Sequence, residues 1–113
     1  MFVDDDEMWR KRLSASFQAA GYDMVTAQDA SEAMAVSEQL ELGAIVLDLN
    51  LDGEDGVMLL KFLKRNHPKT PVLIFTGVAH DQAAIQKMLK MGADQYLTKN
   101  SIEELIVAVS PYV

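Results

Sequence analysis

The sequence contains no cysteine, which excludes disulfides and thiolate metal sites. No apolar run approaches the roughly 20 residues needed to span a bilayer, and no basic segment precedes an apolar one in the manner of a secretory signal. Basic side chains are scarce: 10 lysines and arginines stand against 17 acids, for a net charge of −7. With no basic stripe to offset it, that charge repels nucleic acid and anionic lipid. Cations and basic protein surfaces are the expected partners, and a cytoplasmic location fits. Linkers, internal repeats and low-complexity tracts are also missing.

What is present is one ordinary globular domain. At 113 residues, half hydrophobic and a quarter charged, the chain is long enough for a single buried core and too short for two. Short apolar runs alternate with longer segments of helical period, the pattern of an α/β fold with a parallel sheet. Five such units are predicted. The strands fall at Met1 to Val3, Tyr22 to Ala27, Gly43 to Leu49, Pro71 to Gly77 and Gln95 to Lys99. The helices run from about Glu7 to Ala20, Asp29 to Leu40, Val57 to Asn66 and Asp81 to Met91, with a last one capped by Ser101. Asp29 with Glu32, and Ser101 with Glu104, read as capping boxes. Trp9, Leu13 and Phe17 recur every four residues along the first helix. Met88 and Met91 share a stripe with Ile85 and Leu89 that reads as core. In the last helix Ile102, Leu105, Ile106 and Val109 face inward. His67 and His80, with no ligand partner at helical spacing, read as loop residues.

Ligands of open α/β sheets bind beyond the carboxyl ends of the strands, and those ends carry chemistry here. The first strand ends in Asp4-Asp5-Asp6 and the third in Asp48, with Asn50 two residues on. The fourth ends in Thr76 and the fifth in Thr98-Lys99. Carboxylates gathered on one rim repel each other unless a cation neutralises them. Magnesium suits oxygen ligands shared between one or two carboxylates and a phosphate, and manganese is admitted in its place. So equipped, Asp48 can act as a carboxylate nucleophile on phosphorus, with Thr76 and Lys99 stabilising the equatorial oxygens. Asp6 and Glu7 read as solvated acids at a helix start.

The segments "VDDDE", "LDLNLDGEDG", "FTG" and "YLTK", in that order and spacing, resemble the response-regulator receiver domains of two-component signalling, including chemotaxis regulators, across nearly the whole chain. The resemblance implies a flavodoxin-like, doubly wound five-stranded parallel sheet of strand order 2-1-3-4-5 with five helices. It makes Asp48 the phosphoacceptor, Asp5 a direct magnesium ligand and Asp4 a carboxylate that helps hold the metal. Asn50 would complete the metal site through its main-chain carbonyl, Thr76 and Lys99 would sense and pair with the phosphoryl group, and Tyr96 would be an aromatic switch. It implies a histidine kinase or phosphotransfer protein as donor. An effector protein or domain, or a second copy, would dock on the fourth helix, fifth strand and fifth helix, where Val107 should face outward.

The chain departs from the family pattern in four places. Asn100 follows Lys99 where proline is usual, and a cis bond there would cost about 2.5–4 kcal/mol, so the loop is either strained or trans. Gly77 follows Thr76 where alanine is frequent, which should open the site to water and small phosphodonors. Asp52 replaces a common proline. The first strand is short for a central one, and the expectation is a domain spanning 1–113, excised from a longer protein with native residues upstream of Met1. Two rivals remain. A haloacid-dehalogenase-like phosphatase would want an aspartate where Asn50 stands, and a pseudo-receiver that only binds protein would not need the acids. Nucleotide or flavin binding is weaker, because no glycine-rich loop follows the first strand.

Overall fold

The computed structural model describes residues 1–51 and 54–113. Five parallel strands form one sheet: β1 (Phe2–Val3), β2 (Thr26–Ala27), β3 (Ile45–Leu47), β6 (Val72–Thr76) and β7 (Gln95–Thr98), in the order β2-β1-β3-β6-β7. Between β3 and β6 a two-residue pair, β4 (Asn50–Leu51) and β5 (Glu54–Asp55), forms an antiparallel ribbon of its own. With that ribbon set aside, the sheet order is the expected 2-1-3-4-5. The helices are α1 (Glu7–Ala19), α2 (Ala30–Gln39), α3 (Gly56–Asn66), α4 (Gln82–Lys90) and α5 (Ile102–Val109), the last followed by a 3₁₀ turn over Ser110–Tyr112. The predicted fourth and fifth strands are therefore β6 and β7. Among the described residues, no helix is long and apolar enough to cross a membrane.

Strand residues alternate between two cores because helices cover both faces of the sheet, which is why the strands read as continuous apolar runs. Val3, Ile45, Leu47, Val72 and Ile74 meet Ala33 of α2 and Leu59, Leu60 and Leu63 of α3. Phe2, Val46, Leu73 and Phe75 meet Leu13 and Phe17 of α1 and Leu105 and Val109 of α5. Burying one such leucine or phenylalanine contributes about 1.5–3 kcal/mol. Side-chain oxygens start four helices, as expected for N-caps: Asp6 accepts from the Met8 amide, Asp29 from Glu32, Asp81 from Ala84 and Ser101 from Glu104.

Two expectations need correcting. The second strand pairs only over Thr26–Ala27 rather than from Tyr22. β1 offers it just two residues, and Tyr22 turns onto Phe17 at 6.0 Å between ring centres, joining Met24 in the second core. The segment after Asp48 is more than a turn, since it contains β4 and β5. Asp52 lies outside the described residues. The bond between Lys99 and Asn100 is trans, as is every peptide bond of the described residues.

Gly56, the first residue of α3, has a packing reason for being glycine. A Cβ there would sit 2.6 Å from both the Cα and the carbonyl oxygen of Leu49. That is main chain directly after Asp48, and main chain cannot rotate away. Gly56→Ala should therefore lower stability by about 1–3 kcal/mol, measured as a lower urea midpoint at unchanged slope.

Candidate functional site

The hydrogen-bond ladder of the sheet runs on past the strands and assembles the rim. Beyond β1, the Asp4 amide donates to the Ala27 carbonyl at 3.0 Å, and the Asp48 amide donates to the Val3 carbonyl at 2.9 Å. Those two bonds set Asp4 and Asp48 side by side at the ends of adjacent strands. On the other side, Thr76 pairs with Thr98 in register, and the Lys99 amide donates to the Thr76 carbonyl at 2.8 Å. Sequence separations of up to 95 residues thereby close into one cluster.

Its centre is the Lys99 ammonium. Nζ donates to Asp4 Oδ2 at 2.6 Å and to Asp48 Oδ2 at 2.9 Å. Both carboxylates are buried, Asp4 at 0% and Asp48 at 4% exposure. Their remaining oxygens accept main-chain amides two residues on, Asp6 N to Asp4 Oδ1 at 2.9 Å and Asn50 N to Asp48 Oδ1 at 3.1 Å. Arg10 donates to the Asp4 main-chain carbonyl at 2.8 Å. Burial pushes the Asp4 carboxyl above its ordinary range, against the Lys99 and Asp6 hydrogen bonds that pull it down. For Lys99, burial alone would lower the pKa; hydrogen bonds and charge from Asp4 and Asp48 outweigh it, and the pKa is raised. The ammonium is thus held in its charged form.

Asp5 completes a triad. It is exposed, and one carboxylate oxygen from each of Asp4, Asp5 and Asp48 lies within 4.8 Å of the others. Three carboxylates within reach of one another, and the all-oxygen donor set, fit a hard divalent cation that keeps some of its water.

Thr76 is fully buried, and its Oγ1 accepts the Val78 amide at 3.3 Å. A Cβ added at Gly77 would lie 3.8 Å from Lys99 Cδ, an ordinary contact, so the glycine leaves a methyl-sized opening there. Tyr96 is half-buried, with its phenol donating to the Val78 carbonyl at 3.0 Å. Its oxygen lies 2.6 Å from His80 Nδ1, and the two rings meet edge-on at 5.6 Å. Because the phenol's one hydrogen goes to Val78, the proton of that second contact belongs on Nδ1. His80 is therefore a partner of Tyr96 rather than a plain loop residue.

Asp4, Asp5, Asp48, Thr76 and Lys99 stand together as expected. Asn50 joins them through its amide, and Tyr96 stands one loop away. Two participants were not foreseen, His80 and Arg10; Trp9 lies just past the acid cluster in sequence, and its ring centre is 4.7 Å from Lys99 Nζ. The periodicity that places Trp9 on the inner face of α1 carries no sign of a lysine ninety residues on.

Residues 1–110 match the family described as the response regulator receiver domain. The chain is 31% identical over 101 residues to a putative NtrX-like response regulator of Rickettsia conorii, an alignment covering 88% of this chain and 21% of that protein. It thus spans about a fifth of that relative's length. The receiver domain of Francisella response regulator 1452 superposes with a TM-score of 0.90 at 33% identity, over 98% of this chain and 92% of that one. A response regulator of Burkholderia pseudomallei, solved with a phosphorylated aspartic acid, calcium ion and citrate, superposes at 0.88 and 28% identity, over 96% of this chain and 64% of that one.

Removing the shared ammonium strands two buried carboxylates. Lys99→Met should cost the metal-free protein about 3 kcal/mol, read by urea unfolding. Added magnesium should return more stability to the variant than to the native chain, because the variant has no resident cation to displace.

Proposed function

Because the chain belongs to the response regulator receiver domains, we propose that Asp48 is its phosphoacceptor and that phosphorylation switches a protein-binding surface. The donor is a histidine kinase or a phosphotransfer protein. A carboxylate oxygen of Asp48 forms the new bond to phosphorus, and the donor's bond to phosphorus breaks with its electron pair leaving on the donor. Magnesium, or manganese in its place, supplies positive charge to the phosphoryl oxygens when bound. Asp5 and Asp48 would hold it, with the Asn50 main-chain carbonyl, and Asp4 would support it. Lys99 already lies 2.9 Å from Asp48, and that contact is the observation carrying the assignment. An ammonium so placed is within reach of the incoming charge.

The product has to be read by the rest of the domain. In this reading the Thr76 hydroxyl turns to donate its O–H to a phosphoryl oxygen and lets go of the Val78 amide it accepts, the following loop shifts, and Tyr96 moves with Val78. The surface affected is α4, β7 and α5, where Val107 is 70% exposed, a site for an effector protein or domain or for a second copy of the chain. The net charge of −7 argues against nucleic acid and anionic membranes as partners, and a cytoplasmic location suits a protein that meets a kinase there. The phosphorylated aspartic acid of the Burkholderia relative supports an aspartyl-phosphate chemistry. A phosphatase of the haloacid-dehalogenase kind lacks its second aspartate, since Asn50 stands in that place. A binding-only pseudo-receiver leaves the buried Asp4, Asp48 and Lys99 unexplained.

Magnesium and acetyl phosphate should add the mass of one phosphoryl group to the native protein and none to Asp48→Asn; an unlabelled native chain, under conditions that label a known receiver, overturns the assignment. Gly77→Ala fills the opening beside Lys99. It should leave folding intact and lengthen the life of the phosphorylated form several-fold, followed as the decay of that mass.

A further inference from the structure

Lys99 has a third partner besides the two acids. Its Nζ lies 4.7 Å from the centre of the Trp9 ring, inside the roughly 6 Å over which a cation is attracted to an aromatic face, and tryptophan is the strongest such partner. The indole is itself fixed. It meets Phe75 edge-on, at 5.7 Å and 85°, and Phe75 is fully buried on β6 next to Thr76. Phe75 in turn meets Phe2 of β1 at 6.4 Å. The Arg12 guanidinium lies 4.9 Å from the same indole centre, one turn further along α1. The sheet therefore holds the ring, and the ring holds the ammonium.

From this arrangement we infer that Trp9 is a positioning residue for Lys99 that makes the ammonium a stronger competitor for the cation site. The inference rests on the metal reading of the acid cluster. Distances of 2.6, 2.9 and 4.7 Å to Asp4, Asp48 and the indole leave Nζ close to one position that satisfies all three. A divalent cation entering the triad repels Nζ and takes oxygens that it now occupies. Displacing Nζ from that position gives up the indole contact as well as the two ion pairs. Trp9 thus weakens metal binding, and it does so only through Lys99. An aliphatic residue at the same place could still touch Phe75 but would exert no pull on the ammonium.

The test is a double-mutant cycle on magnesium affinity, measured by titration calorimetry on the intact chain, for native, Trp9→Leu, Trp9→Phe, Lys99→Met and the Trp9→Leu/Lys99→Met pair. Trp9→Leu should bind magnesium about threefold more tightly than native, with Trp9→Phe between them. Lys99→Met and the double variant should bind equally. In the metal-free state, the ε-methylene protons of Lys99 should show an upfield ring-current shift by NMR that Trp9→Phe keeps in part and Trp9→Leu loses. Equal affinities for native and Trp9→Leu, a tryptophan effect that persists without Lys99, or no upfield shift in the native protein would overturn the inference while leaving the metal site standing. Failure of every variant to bind magnesium would overturn the metal reading and the competition together. Trp9→Met serves in the cycle if the leucine variant does not fold.

Discussion

One ammonium shared by two buried carboxylates is the constraint on which the upper rim of this domain depends. Asp4 and Asp48 end adjacent strands, and the parallel ladder fixes their separation. Two such acids in a nearly dry pocket repel each other when both are charged. Lys99, arriving from the edge strand β7, offsets that repulsion by pairing with both at once. In the reading proposed above, a carboxylate pair bonded to a displaceable ammonium is open to a metal ion and to an electrophile. The stability the lysine supplies in the resting state is therefore also a barrier to loading, and its depth is set by everything that touches Lys99.

Main-chain geometry explains how residues so far apart in sequence meet to within a hydrogen bond. Each functional side chain lies at or just after the last paired residue of its strand: Asp4 after Val3, Asp48 after Leu47, Thr76 at the end of β6 and Lys99 after Thr98. Ladder bonds carried past those ends place the main chain, leaving the side chains only rotamers to choose. β1 needs only two paired residues because it lies between β2 and β3, with a ladder on each side. Phe2 and Val3 are completely buried, one in each core.

What the sequence disclosed and what it withheld divide along the same physical line. The alternation of apolar runs with helical segments locates strands and helices, and caps such as Asp29 and Ser101 mark starts to within a residue. Strand ends follow, and with them Asp4, Asp5, Asp48, Thr76 and Lys99, because each is defined by its own strand. Contacts between side chains of different elements leave no such local trace. His80 carries no mark of its bond to Tyr96, and Trp9 shows only the period that turns it inward. The pairing limits of β2 were equally hidden. Its length is set by the two residues that β1 offers and not by its own composition.

The loop after Thr76 is where the site meets the outer surface, and its bonds are unequal. Val78 gives its amide to Thr76 Oγ1 at 3.3 Å and receives the Tyr96 phenol on its carbonyl at 3.0 Å. A bond of 3.3 Å lies beyond the usual range for an amide and an oxygen, so turning the Thr76 hydroxyl to donate to a phosphoryl oxygen gives up little on the Thr76 side. The Tyr96 side has more to lose, since its phenol is held by both Val78 and His80. A ligand shifts an equilibrium only by the difference in its affinity for the two states. In the reading proposed above, that difference is made at Thr76 and Lys99, and the bonds that His80 and Val78 make to the Tyr96 phenol oppose any shift of the loop that separates them.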